Sequence, residues 1–204
     1  MKLLERNYNH RHRKIEENKE MCKKIIELKN KSPDELLKMT NQVGVFPVDV
    51  AQICYNVGIR LMPFNFSPIE EEEEMRSTVE KRGTILGAAV VKGNELAILY
   101  RKDDSSNRRR FTIAHELAHV CLHMEADDKV HIEFRTDRST ACEKEKKANI
   151  FAGELLIPKD VLTELIGESK YVAQSVVPQL CDLFMVSKNV MVERLKCLGI
   201  KVFE

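Results

Sequence analysis

Apolar positions recur with helical spacing along most of the chain, and with the shorter period of strands in one stretch near its middle. Met21, Ile25 and Leu28 share one side of a helix that follows a polar arm, basic around His10 to Lys14. Ser32-Pro33-Asp34-Glu35 then reads as a helix start, with Ser32 as cap and Pro33 at the first helical position. Phe46-Pro47-Val48-Asp49 opens an amphipathic helix through Val50, Ile53, Cys54 and Val57, which Gly58 ends. Ile59 to Pro63 follows as a short strand. Thr84 to Val91 and Leu96 to Tyr100 are apolar and partly β-branched, and they flank Lys92-Gly93-Asn94-Glu95, which predicts a hairpin. The pattern is helical from Ser105 to about Met124 and again from about Ala141 to Leu156. Near the C-terminus, Leu180 to Gly199 reads as helix, turn and a second helix capped by Ser187 and closed by Gly199. The expected class is α+β. A helical extension (residues 1–44) precedes a central domain (45–160), and a helical segment (161–204) packs on that domain.

One of these helices carries chemistry: Arg110-Phe-Thr-Ile-Ala-His115-Glu-Leu-Ala-His119-Val-Cys-Leu-His123. Histidines four apart on a helix lie about 40° apart around its axis and about 6 Å along it, so both rings can reach one ion. Glu116 follows the first of them, where its carboxylate reaches water beside the metal instead of the metal. This is the H-E-x-x-H arrangement of zinc peptidases. Phe111, Ile113, Ala114, Leu117, Ala118, Val120, Cys121 and Leu122 surround the three polar residues, and a helix apolar all round is buried. Core histidines satisfied by neighbouring hydrogen bonds account for one such residue but poorly for His-Glu-His, because unpartnered buried polar groups cost several kcal/mol.

A catalytic zinc site needs a third protein ligand. The metzincin pattern is excluded, since Leu122 and Glu125 stand where its glycine and third histidine would be. His123 continues the stripe, yet three ligands on one straight helix would span about 12 Å. It is assigned to packing behind the ligands. In the next helix, Thr140 and Glu143 fit a capping box, which gives Glu143 a structural task. Glu145 lies on the otherwise core-facing stripe Ala141, Ala148, Ala152 and Leu155, and is the predicted third ligand. Asn149, one turn on, is the candidate for orienting a histidine from behind. Tyr100, His131 and Arg135 are candidates for stabilising a developing oxyanion.

Composition narrows the picture further. The 204 residues, 43% of them hydrophobic, can bury one sizeable core. Lys+Arg total 33 against Asp+Glu 32, so overall charge gives no support to a nucleic-acid partner. Arg108 to Arg110 reads as a solvated face, and the C-terminal helix pair as a hairpin packed on the core; DNA binding is not expected. The run Glu70 to Glu74 repels itself and belongs to a solvated loop. Six dispersed cysteines without a C-x-x-C pair point to reduced thiols. With no apolar run of about 18 residues and no h-region at the N-terminus, the expected location is cytoplasmic, with no membrane partner.

Arg110 to His119 with Leu122-His123, and Glu145-x-x-Ala148-Asn149-x-Phe151-Ala152-x-x-Leu155-Leu156-x-Pro158, resemble the signatures of the ImmA/IrrE family of metallopeptidases. The Phe46 helix and the Gly87 hairpin resemble that family's lead-in, so the likeness covers roughly residues 45 to 200. The resemblance implies a compact zincin-like domain with Zn2+ on His115, His119 and Glu145 and with Glu116 as catalytic base. It also implies a protein substrate, namely a helix-turn-helix repressor of a mobile element or stress operon. Ala118 stands where the family often has glycine. The alternatives are a non-proteolytic anti-repressor that merely sequesters its partner, and a DNA-binding regulator using the C-terminal helices. An intact Glu116 favours cleavage over sequestration, because a structural metal site needs no general base.

Overall fold

The computed structural model describes residues 23–64, 86–92, 95–125, 143–167 and 169–203. The acidic run Glu70 to Glu74, the candidates His131 and Arg135, the Thr140 cap and the basic stretch His10 to Lys14 lie outside those residues.

The described residues open with helix α1 (residues 23–28) and α2 (Pro33–Met39). Ser32 starts α2 as the sequence predicts: the Glu35 backbone N–H donates to Ser32 Oγ at 3.3 Å, and the Ser32 N–H donates to the Glu35 carboxylate at 2.9 Å. That backbone donor, with help from Lys31 and the Ser32 hydroxyl, holds the Glu35 carboxyl down at about 2. Helix α3 (Val50–Asn56) follows, capped by the Asp49 side chain. Gly58, at φ +74°, turns the chain into strand β1 (Arg60–Phe64).

Strands β2 (Gly87–Lys92) and β3 (Glu95–Arg101) form the predicted antiparallel hairpin, with Val90 opposite Ala97 and Gly87 opposite Tyr100. Strand β1 joins the other side of β3 in parallel, giving the order β1-β3-β2. The long helix α4 (Ser106–Leu122) lies against β2 and β3, and packs along α5 (Glu143–Leu156) on its other side. Ala148 and Ala152 are fully buried in α5, and these small side chains let the two helices approach closely.

The core is one cluster that includes Ile25, Leu28, Leu36 and Leu37 from the N-terminal helices together with Ile98, Leu117, Leu155 and Leu195. The Asn30 N–H donates to the Cys121 carbonyl at 2.7 Å, and Lys29 pairs with Glu125, so the α1–α2 connection is fastened to the end of α4. Burial pushes the Cys54 and Cys121 thiols up to about 12, which leaves both as unreactive core residues at neutral pH.

Beyond α5 come α6 (Lys159–Ile166), strand β4 (Tyr171–Ala173), α7 (Val177–Phe184), α8 (Lys188–Cys197) and strand β5 (Lys201–Phe203), which pairs with β4 in parallel. Helices α7 and α8 form the predicted helix–turn–helix hairpin, with Met185 left-handed in the turn and Ser187 capping α8. Arg194 is buried in the interface of this hairpin with α5. Its Nε donates to the Ile157 carbonyl at 3.1 Å, and its Nη1 pairs with Glu154 Oε1 at 2.8 Å. From the other wall, Asn107 Nδ2 donates to the Val186 carbonyl at 3.3 Å. Among the described residues, no helix is long and apolar enough to cross a membrane.

Candidate metal centre

Every residue of α4 from Thr112 to Cys121 is buried, which fixes the rotamers of the polar residues among them. His115, Glu116 and His119 are exposed by 0, 1 and 1%, respectively. One helical turn separates the two histidines, and their Nε2 atoms face each other 2.9 Å apart. Helix α5 brings Glu145 to the same point: its Oε2 stands 3.2 Å from His115 Nε2 and its Oε1 3.2 Å from His119 Nε2.

One ligand atom from each of the three residues thus falls within 4.8 Å of the others, in a mostly buried setting. Ligand atoms about 2.0–2.1 Å from a tetrahedral ion lie about 3.3 Å from one another. The spacings here are close to that edge length, and two imidazoles with a carboxylate form a donor set suited to a borderline divalent ion such as zinc. Hydrogen bonds from His115, then His119, hold the Glu145 carboxyl well below the usual carboxylate range against the opposing effect of burial, so it is anionic at neutral pH. The residues fit the group that the sequence pattern implies.

The remaining candidates are not among the three grouped ligand residues. Glu143 is exposed at the first position of α5. His123 has its ring 5.3 Å from that of His119, but its Nε2 lies 3.2 Å from the Lys144 carbonyl. It therefore ties the end of α4 to the peptide preceding Glu145. His123→Ala is expected to keep one metal ion per chain and to weaken affinity by about tenfold, as for residues behind a ligand. Competition titration against a chelator checks this, and loss of stoichiometric binding would move His123 into the ligand set.

Asn149 is exposed on α5, one turn beyond Glu145, and lines a groove of about 800 Å³ between α4, α5 and α8. Leu86, Phe111, Thr112, Ile150 and Val190 also line it, while His115, Glu116, His119 and Glu145 do not. The Phe111 ring lies 6.2 Å from that of His115. Tyr100 is paired with Gly87 across the hairpin and is half-buried against the core. Two residues of this region had been given no part in the site from the sequence, Gly87 and Thr112, which meet beside Glu116. The available signal was a glycine in a strand, a mark of close backbone approach.

A family model described as Peptidase_M78, IrrE N-terminal-like domain, matches residues 68–196. The match takes in α4, α5 and the C-terminal hairpin. No curated protein gives a significant match.

Proposed function

The chain belongs to the Peptidase_M78 family, and from that premise we propose that it is a zinc-dependent regulatory endopeptidase that cleaves a helix-turn-helix transcriptional repressor in the cytoplasm. The observation that carries the reading is the convergence of His115, His119 and Glu145 with Glu116 on the same buried turn of α4. The two Nε2 atoms and the Glu145 carboxylate are the groups that would hold the ion. Zinc supplies Lewis-acid polarisation of a carbonyl and acidifies water at neutral pH.

The chain's own residues supply the rest. Glu145, anionic and clasped by both histidines, fixes the two rings in one orientation. Glu116 stands outside the ligand trio, and its carboxylate takes a proton from the attacking water and returns it to the leaving nitrogen. Burial of α4 keeps bulk water away, which strengthens each electrostatic contact at the reacting atoms. The groove between α4, α5 and α8 is large enough for several residues of an extended substrate chain, and its lining is mixed apolar and polar. The choice of a repressor as substrate rests on the resemblance in the two ligand-bearing helices.

The test is to incubate the zinc-loaded protein with candidate helix-turn-helix repressors from the same genome, any encoded by a neighbouring gene first. Cleavage into discrete fragments, stopped by a chelator and restored by added zinc, is the expected result. An intact repressor despite full zinc occupancy would sink the proteolytic reading and leave sequestration in its place.

A further inference from the structure

Strand β2 opens with Gly87 at the point where it passes under α4. A Cβ on this residue would lie 2.4 Å from Thr112 Cγ2, 2.9 Å from Glu116 Oε1 and 3.2 Å from Glu116 Cγ. The φ of Gly87 is outside the left-handed region, so no turn demands a glycine here. The requirement is space. Thr112 and Glu116 are four residues apart, hence neighbours on one face of the helix, and both are buried. That face rests directly on the bare backbone of the strand.

From this contact we infer that Gly87 is a positioning residue for Glu116. Its missing side chain lets the strand backbone form the wall that seats the carboxylate, with Thr112 as the neighbouring stop. The inference rests on the reading of Glu116 as the general base. Thr112, the nearer contact, must change rotamer or move with its helix, and a helical threonine has about two rotamers open to it. The carboxylate end of Glu116 is the more yielding of the two contacts. A methyl group at position 87 therefore displaces the Glu116 carboxylate together with Thr112 Cγ2, while no ligand atom of His115, His119 or Glu145 is among the three atoms nearest to it. Displacing a reacting group by about 1 Å costs on the order of 10²-fold in rate.

Gly87→Ala is thus expected to bind one zinc per chain, to lower kcat on the repressor by about 10–100-fold and to leave KM nearly unchanged. In a Glu116→Gln background the same substitution should lower the residual rate no further, because the group it displaces has already lost its function. Independently of activity, a crystal structure of Gly87→Ala should show the Glu116 carboxylate moved by about 0.5 Å or more from its wild-type place. Should Gly87→Ala fail to fold, Gly87→Ala/Thr112→Ser, compared with Thr112→Ser alone, relieves the 2.4 Å contact and keeps the 2.9 Å contact with the carboxylate. An unmoved carboxylate, or an equal loss in the Glu116→Gln background, overturns the inference. If the wild-type protein cleaves nothing, the proteolytic reading fails alone, and the crystallographic displacement still decides the role of Gly87.

Discussion

Glu116→Gln is expected to leave fold and metal content intact while lowering repressor cleavage by about 10²–10⁴-fold, the usual range for removal of a general base. The side chain is 1% exposed and lies against Gly87 and Thr112, so the replacement must keep its shape, and glutamine does. Glutamine also keeps a carbonyl oxygen that accepts hydrogen bonds, but it cannot take up a proton at neutral pH. The ligand atoms belong to His115, His119 and Glu145, so zinc affinity should change little. The loss should therefore appear in kcat, with stoichiometric zinc by elemental analysis and an unchanged melting temperature as controls. Relief of repression in cells at the wild-type level by Glu116→Gln would show that cleavage is not the mechanism.

The metal helix was legible because its signal is local. The i, i+4 spacing of His115 and His119 and the apolar surround are properties of one segment, and the helix geometry then leaves little freedom. The same holds for the Ser32 helix cap and for the β2–β3 hairpin, where the turn chemistry lies between adjacent strands. Glu145 was legible for a different reason: a carboxylate among core-facing alanines is a conflict that only a partner from elsewhere resolves.

What escaped was set by contacts between distant segments. The sequence of β1 contains nothing to say that it pairs in parallel with β3, across an intervening stretch of more than twenty residues. Strands β4 and β5 have three residues each, too few for a periodicity, and they exist because α7 and α8 return the chain to the same place. Nothing local marks Arg194 for burial, which depends on the carbonyl of Ile157 and the carboxylate of Glu154. The Gly87 contact is of this kind too. A glycine in a strand announces close approach but not which side chain will approach.

Metal binding should distinguish the ligand trio sharply from its neighbours. His115→Ala and His119→Ala are each expected to abolish stoichiometric zinc binding, because either change removes one of the two imidazoles that converge there among the described residues. Glu145→Ala should weaken binding strongly, since it removes a carboxylate that contacts both rings and a negative charge that balances the ion. Glu143→Ala, on an exposed residue two positions earlier, should cost only a helix-end contribution of about 1 kcal/mol or less. Calorimetry supplies the readout. Free zinc at about 1,000 times its dissociation constant stabilises the folded state by about 4 kcal/mol, which for a chain of this size raises the melting temperature by about 8–16 °C. Wild type, His123→Ala and Glu143→Ala should show a shift of this kind, while His115→Ala and His119→Ala should show none. The Glu145 carboxyl is held below the usual carboxylate range, so the ranking should persist in mildly acidic buffer until proton competition at the histidine ligands intervenes. If Glu143→Ala abolished the shift and Glu145→Ala retained it, the third ligand would have to be reassigned to the first turn of α5.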